Sequence, residues 1–472
     1  MSALAPFVER AFTIDVVEHS AAPLAVEGTI PRYVRGTAYF NGPGRFTRGS
    51  LNYRHWLDGD GLVCAVSFDD SGATLTNRFV RSEKFVREEA AHAPIFRTFG
   101  TAFPGDALKR GVGLESPVNV SVYSWRGRLL AFGEQGLPWE MDPVTLDTRG
   151  LYTFDGQINE ITPFSAHPKV DHDTGELFNF GVSFSATAPM MTLYRFLGDG
   201  TLAYRKRLRL PYPASTHDFA VSQEHIVVYV SPLILKMDAM LRGGSTVMDA
   251  LSWQPDLGSE LIVASRATGA EVARLPIGGN YCLHMINAFE RDGHLVVDVV
   301  DYDKPLYPEY QVIPDLFSDA FYGRPLRLTI DIAAKAVVSR RELPYGNSPD
   351  FPSHDPALTG LPYEHFWMLG ISQAGKAGSK FFDEIVRLGW SSSSCELFTA
   401  PPMHYFGGEP LFIPEPGTPR GGAVVCQLFD AERVQSWFVV FDAFDLGRGP
   451  VAKLRAPSPM PPLFHSSFAE RA

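Results

Sequence analysis

The chain has 472 residues, 45 % hydrophobic and 20 % charged, and its 42 basic against 53 acidic side chains give a formal net charge of −11. That balance excludes a mainly disordered chain and a basic nucleic-acid binder, so no nucleic-acid partner is expected. Without a run of 18 apolar residues, the sequence offers no membrane-spanning helix.

Residues 1–25 read as an N-terminal arm, in which Glu9 and Arg10 fall where a signal peptide needs apolar residues. The four cysteines (Cys64, Cys282, Cys395, Cys426) are far apart and form no CxxC, as in a reduced interior. A cytoplasmic location is expected from both. Gly and Pro make up about one residue in six, which leaves room only for short elements. In chain order, 62–68, 74–80, 225–230, 295–300 and 437–441 have strand length and strand composition. Turn sequences punctuate the chain beside such runs: Asp70-Ser71-Gly72, Arg126-Gly127, Asp173-Thr174-Gly175 and Asp292-Gly293. Two segments differ: 81–94 is charged and ended by Pro94, and 232–254 is apolar at roughly helical spacing, cut by Gly243-Gly244. Both read as helical insertions on an all-β scaffold. With no composition shift to divide it, residues 1–472 read as one domain, whose many hairpins fit a sandwich, barrel or propeller.

Nine of the thirteen histidines sit among polar or Pro/Gly neighbours. The other four, His167 (FSAHPKVD), His217 (STHDFAV), His284 (CLHMINAFE) and His465 (PLFHSSF), each stand at the mouth of an expected strand. No short-range metal motif such as HExxH occurs, so a metal site must assemble from remote strands. A propeller does this: seven blades of about 67 residues would point their innermost strands at one axial channel.

These four segments, with FNGPGRF, HWLDGDGLVCAVSF, FVRSEKF, LLAFGEQGLPWEMDPVTLDTRG, ELPYGN and GGEPLFIP in the same order, resemble the carotenoid cleavage oxygenases along nearly the whole chain. The resemblance implies a seven-bladed β-propeller with a helical and loop cap on one face. It implies one Fe(II) held by His167, His217, His284 and His465, with O2 as co-substrate. It also implies three glutamates behind the ligands: Glu134 for His217, Glu342 for His284 and Glu409 for His465, with His167 left without one. Glu115, Glu140 and Glu160 lack that context and read as surface residues.

Three departures from the family pattern stand out. Gly417 opens GTPRGGAV in place of an acidic cluster, Val120 aligns with a threonine beside the iron, and Gly133 precedes Glu134. Stilbene-cleaving relatives carry a Lys at that last place and an upstream Tyr to hold a phenolate, whereas 96–106 here offers Phe and Ala. A buried phenolate would lose a charge-assisted contact, which favours a hydrocarbon-like polyene. Leu235, Met237, Met240, Leu241, Met248 and Leu251 in the 232–254 insertion match an apolar patch at the substrate entrance of carotenoid-cleaving relatives, suited to peripheral membrane contact.

The resemblance therefore implies a dioxygenase that cleaves a conjugated C=C bond of a carotenoid or apocarotenoid into two carbonyl products. The alternatives are a stilbene or phenylpropenoid cleaver on the same site, and an isomerase or non-catalytic carotenoid-binding propeller.

Overall fold

Seven antiparallel sheets of four or five strands surround one axis in this computed structural model. It describes residues 9–470 apart from 111–112, 184, 186, 241–243 and 313–315, and only the backbone of Met240. The innermost strands, Ser121–Trp125, Lys169–Val170, Phe219–Val221, Tyr281–Arg291, Ser348–His354, His404–Pro414 and His465–Glu470, pack around that axis. All five expected strands are present, as Asp60–Asp69, Gly72–Phe79, His225–Val230, His294–Tyr302 and Gln435–Asp442. Arg126-Gly127 and Asp292-Gly293 are two-residue hairpin turns with positive φ at both positions (52° and 71°; 52° and 76°), the conformation that matches the twist of paired strands.

The ring closes from both ends of the chain. His465–Glu470 pairs antiparallel with Gly36–Arg45, giving the first blade its inner edge. Ala25–Gly28 pairs with Ala452–Arg455, giving the last blade its outer edge. The segment expected as an N-terminal arm to residue 25 thus supplies edge strands, since His19–Pro23 also pairs with Gly72–Phe79. Interlocking the termini leaves no unpaired strand at the seam.

The outermost strand of each blade is its least buried. In the fifth, Tyr281–Arg291 and His294–Tyr302 are almost wholly buried, whereas Ala336–Glu342 is half-buried to exposed throughout.

The expected helix at 81–94 is Glu83–Ala91, capped by the Ser82 hydroxyl, which accepts from Phe85 N–H, and ended by His92 in the left-handed conformation. It is pinned to the first blade by the buried Lys84 ammonium, which donates to Asp60 (2.7 Å) and Glu88 (2.9 Å). The 232–254 insertion is less helical than its apolar spacing suggests. It is a hairpin, Leu233–Leu235 on Leu251–Trp253, carrying the one-turn helices Met237–Met240 and Val247–Ala250. Met248 N–H donates to Phe99 O (3.0 Å), so hairpin and 93–118 loop form one cap.

Candidate metal centre

Each of the four histidines stands where an inner strand begins or bulges. His167 and His217 precede their strands by two residues, and His465 is the first residue of its own. His284 lies within Tyr281–Arg291 at an irregularity between Cys282 and Met285. A straight strand would alternate side chains across its faces; the irregularity re-aims this one at the axis. The four side chains are buried, and one nitrogen from each lies within 4.8 Å of the others. His167 Nε2 is 2.8 Å from His217 Nε2, which is 3.2 Å from His284 Nε2.

The outward nitrogens meet carboxylates. His217 Nδ1–H donates to Glu134 Oε1 (2.8 Å), and His465 Nδ1 lies 3.5 Å from Glu409 Oε2. His284 Nδ1–H donates to Asp350 Oδ1 (2.6 Å). That corrects the expectation for Glu342, which sits at the end of the outermost strand, 62 % exposed and paired with Arg324. Asp350 is on the inner strand of the next blade, beside a bulge where Phe351 takes φ 52°. The strained backbone turns the short carboxylate inward, where Tyr310 O–H (2.7 Å) and Phe351 N–H (2.8 Å) also donate to it. The signal available in the sequence was an acid among apolar and proline neighbours, SPDFP, against Glu342 behind two arginines. His167 has no carboxylate partner among the described residues.

Protonating Nδ1 leaves the Nε2 lone pair inward, so these rings present convergent donors and no carboxylate ligand. Burial first, then the charges of the neighbouring histidines, pushes His167 well below its ordinary value; burial also lowers His465. His284 goes the other way, because the Asp350 charge and hydrogen bond outweigh burial. Four convergent imidazole nitrogens suit iron, zinc, copper or nickel. The donor set fits a divalent transition metal.

Around it, Phe351 packs on His284 and His465 with ring centroids 5.4 and 5.1 Å away. Val120 is buried beside Phe132, Phe164 and Ala166, and its carbonyl accepts from His465 N–H (3.3 Å). Gly133 is dictated by packing, for a Cβ there would stand 2.0 Å from Ser116 Oγ.

A cavity lies beside the centre on the Glu134 and Thr216 side, walled by Leu57, Phe99 and Phe164. Of the expected entrance residues, Leu235, Met237 and Leu251 face this cavity, and Met248 and Leu251 face a second one that shares Tyr307 with it. These side chains are buried or half-buried, so they line a passage more than they form a surface patch. Leu241 and the side chain of Met240 lie outside the described residues. Sequence reasoning missed Asp350, Tyr307, and Glu115, which is buried at the cavity wall in an ion pair with Lys109 (2.8 Å).

Fold and site together define a β-propeller with an axial cluster of four histidines that could hold a metal ion. A family profile described as retinal pigment epithelial membrane protein matches residues 14–470. Apocarotenoid-15,15'-oxygenase of Synechocystis sp. is 31 % identical over 463 residues, 94 % of this chain and 92 % of its own length. Isoeugenol monooxygenase of Pseudomonas nitroreducens is 26 % identical over 476 residues, 96 % of each chain. The solved cobalt-substituted apocarotenoid oxygenase of Synechocystis superposes with a TM-score of 0.89 at 27 % identity, covering 99 % of both chains. The chain belongs to the carotenoid cleavage oxygenase family, whose members cleave C=C bonds with O2.

Proposed function

We propose that the chain is an Fe(II)-dependent dioxygenase that splits a conjugated C=C bond of a carotenoid or apocarotenoid with O2 into two aldehydes. The observation that carries this reading is the convergence of His167, His217, His284 and His465 beside a largely apolar cavity lined by Glu134 and Thr216. When bound, a ferrous ion would supply the redox centre for O2. The protein's own work is positional. Glu134, Asp350 and Glu409 hold the outward protons of three rings, which keeps the inward nitrogens free. Phe351, Val120 and Phe164 exclude water from the centre. Leu235, Met237 and Leu251 give a polyene an apolar path, and the bond presented would be set by how far the chain threads. No general acid or base is required.

Supply of such a substrate from a membrane fits the position of the 232–254 hairpin, and peripheral lipid contact is part of this reading. Flotation with liposomes tests it; protein that stays at the bottom of the gradient contradicts it. A phenolic alkene, as the isoeugenol relative's name suggests, is favoured by one observation, the polar groups on the cavity wall. The deciding experiment offers the Fe(II)-loaded protein apocarotenals, full-length carotenoids and stilbenes under 18O2. Label in both carbonyl products supports the dioxygenase reading; isomerised substrate without label, or no turnover, refutes it.

A further inference from the structure

The four histidines lie between two cavities that share no lining residue. Ser165, two residues before His167, and Thr216, just before His217, line the first, under the cap. Pro168, Met285 and Ser466, which directly follow His167, His284 and His465, line the other. These histidines stand at or near the starts of inner strands, so the residues that follow them lead along the axis, away from the cap. On that side the cavity continues past Ile286, Ser467 and His354, and the exposed Ser124 and His172 open it to solvent.

The chemistry of this second cavity differs from that of the apolar passage. Glu409 is on its wall, with Oε2 3.5 Å from His465 Nδ1, so a carboxylate that faces one of the four rings is also met from this side. Lys169 lines the cavity too, but its charge is taken up by the buried Asp218 (2.8 Å). The Glu409 charge therefore stands without a basic partner other than His465 among the described residues. Burial, then the Lys169 and His172 charges, pushes His354 down to about 3, so its ring stays neutral and keeps a free lone pair. The Ser467 hydroxyl is shielded from solvent and has no hydrogen-bond partner among the described residues. A hydrated dication entering between Leu235, Met237 and Leu251 would shed its waters against hydrocarbon, at high cost, whereas oxygen and nitrogen atoms stand in for them here. We propose that the cavity running from His354 and Ser467 to Glu409 is the path by which a divalent metal ion reaches the histidines, separate from the path of the organic substrate. The inference rests on the metal centre described above and not on which alkene is cleaved. Phe351, packed on His284 and His465, keeps the inner end closed, and passage has to occur only when the metal is loaded.

The test follows Co(II) uptake by the metal-free protein in stopped-flow absorbance, and Co(II) release to an excess of chelator. Thr359→Trp and His354→Phe plug the second cavity at residues remote from the four histidines, and Leu251→Trp plugs the first. A barrier placed on a path slows travel in both directions alike and leaves the end states untouched. Thr359→Trp and His354→Phe are therefore each expected to slow uptake and release by the same factor, about ten-fold, with Kd unchanged. That unchanged Kd also shows that the variant is folded. Leu251→Trp should leave both rates as in the wild type. Wild-type uptake in both plugged variants, or slow uptake in Leu251→Trp instead, would overturn the path. A Kd weakened through faster release alone would likewise overturn it, because a disturbed centre and not a blocked approach gives that pattern. Wild-type protein that takes up no Co(II) would sink the metal centre, and the path with it.

Discussion

Lys169 and Asp218 form an ion pair of 2.8 Å that joins the segment carrying His167 to the one carrying His217. Asp218 also accepts from the backbone N–H of Met285, beside His284 (2.8 Å). One buried carboxylate therefore braces three histidine-bearing segments, and Lys169, with His284 and the Met285 N–H, outweighs burial to keep its carboxyl below the usual range. Asp218→Asn should lower the stability of the metal-free protein by about 1–3 kcal/mol in urea unfolding, the cost of weakening charged hydrogen bonds. Metal affinity should fall with it; unchanged values of both would mean the brace is idle.

Asp350 and Glu342 make a paired test of the carboxylate behind His284. Asp350→Asn is expected to weaken metal binding about 10–100-fold, as for other groups that orient a ligating histidine. Glu342→Gln, at an exposed strand end, should leave affinity within experimental error. Competition titration with a chromophoric chelator separates the two, and the reverse ranking would restore Glu342.

The mismatch shows what the sequence could and could not carry. The strands and the helix at 83–91 were legible because alternation and turn pairs are local signals, whereas the four convergent histidines were legible only through the family resemblance of their segments. Glu134 and Glu409 were legible from their motifs. Asp350 was not, because its inward aim depends on a bulge and a residue at φ 52°, which have no composition signature. The 232–254 segment misled for a related reason. Apolar spacing cannot separate a short helix from a hairpin, and pairing of Leu233–Leu235 with Leu251–Trp253 decided the matter.

Gly133 gives a packing test. A Cβ there would meet Ser116 Oγ at 2.0 Å and Val118 Cα at 3.2 Å, so Gly133→Ala must expel the Ser116 hydroxyl from its contact with Val118 N–H. A loss of about 1–3 kcal/mol is expected, the usual cost of overpacking. Adding Ser116→Ala should recover most of it, because the clashing atom is gone; additive losses would contradict the contact.

Metal binding should depend on pH through His284. Its raised value lets the ring hold a second proton to higher pH than an ordinary imidazole in the metal-free protein, whereas burial leaves His167 neutral. The proton competes with the metal, so apparent affinity falls as pH drops through the raised His284 value. Asp350→Asn removes the charge that raises it and should flatten the profile, while lowering affinity at high pH. Calorimetry in buffers of different ionisation enthalpy reads the released proton directly; no proton release on binding at any pH across the titration would count against it.

X-ray absorption at the iron edge of the Fe(II)-loaded protein bears most directly on the centre itself. Four imidazole nitrogens are predicted around one iron per chain, falling to three in His284→Ala. A first shell dominated by carboxylate or sulfur donors, or a spectrum unchanged by that substitution, would contradict the assignment.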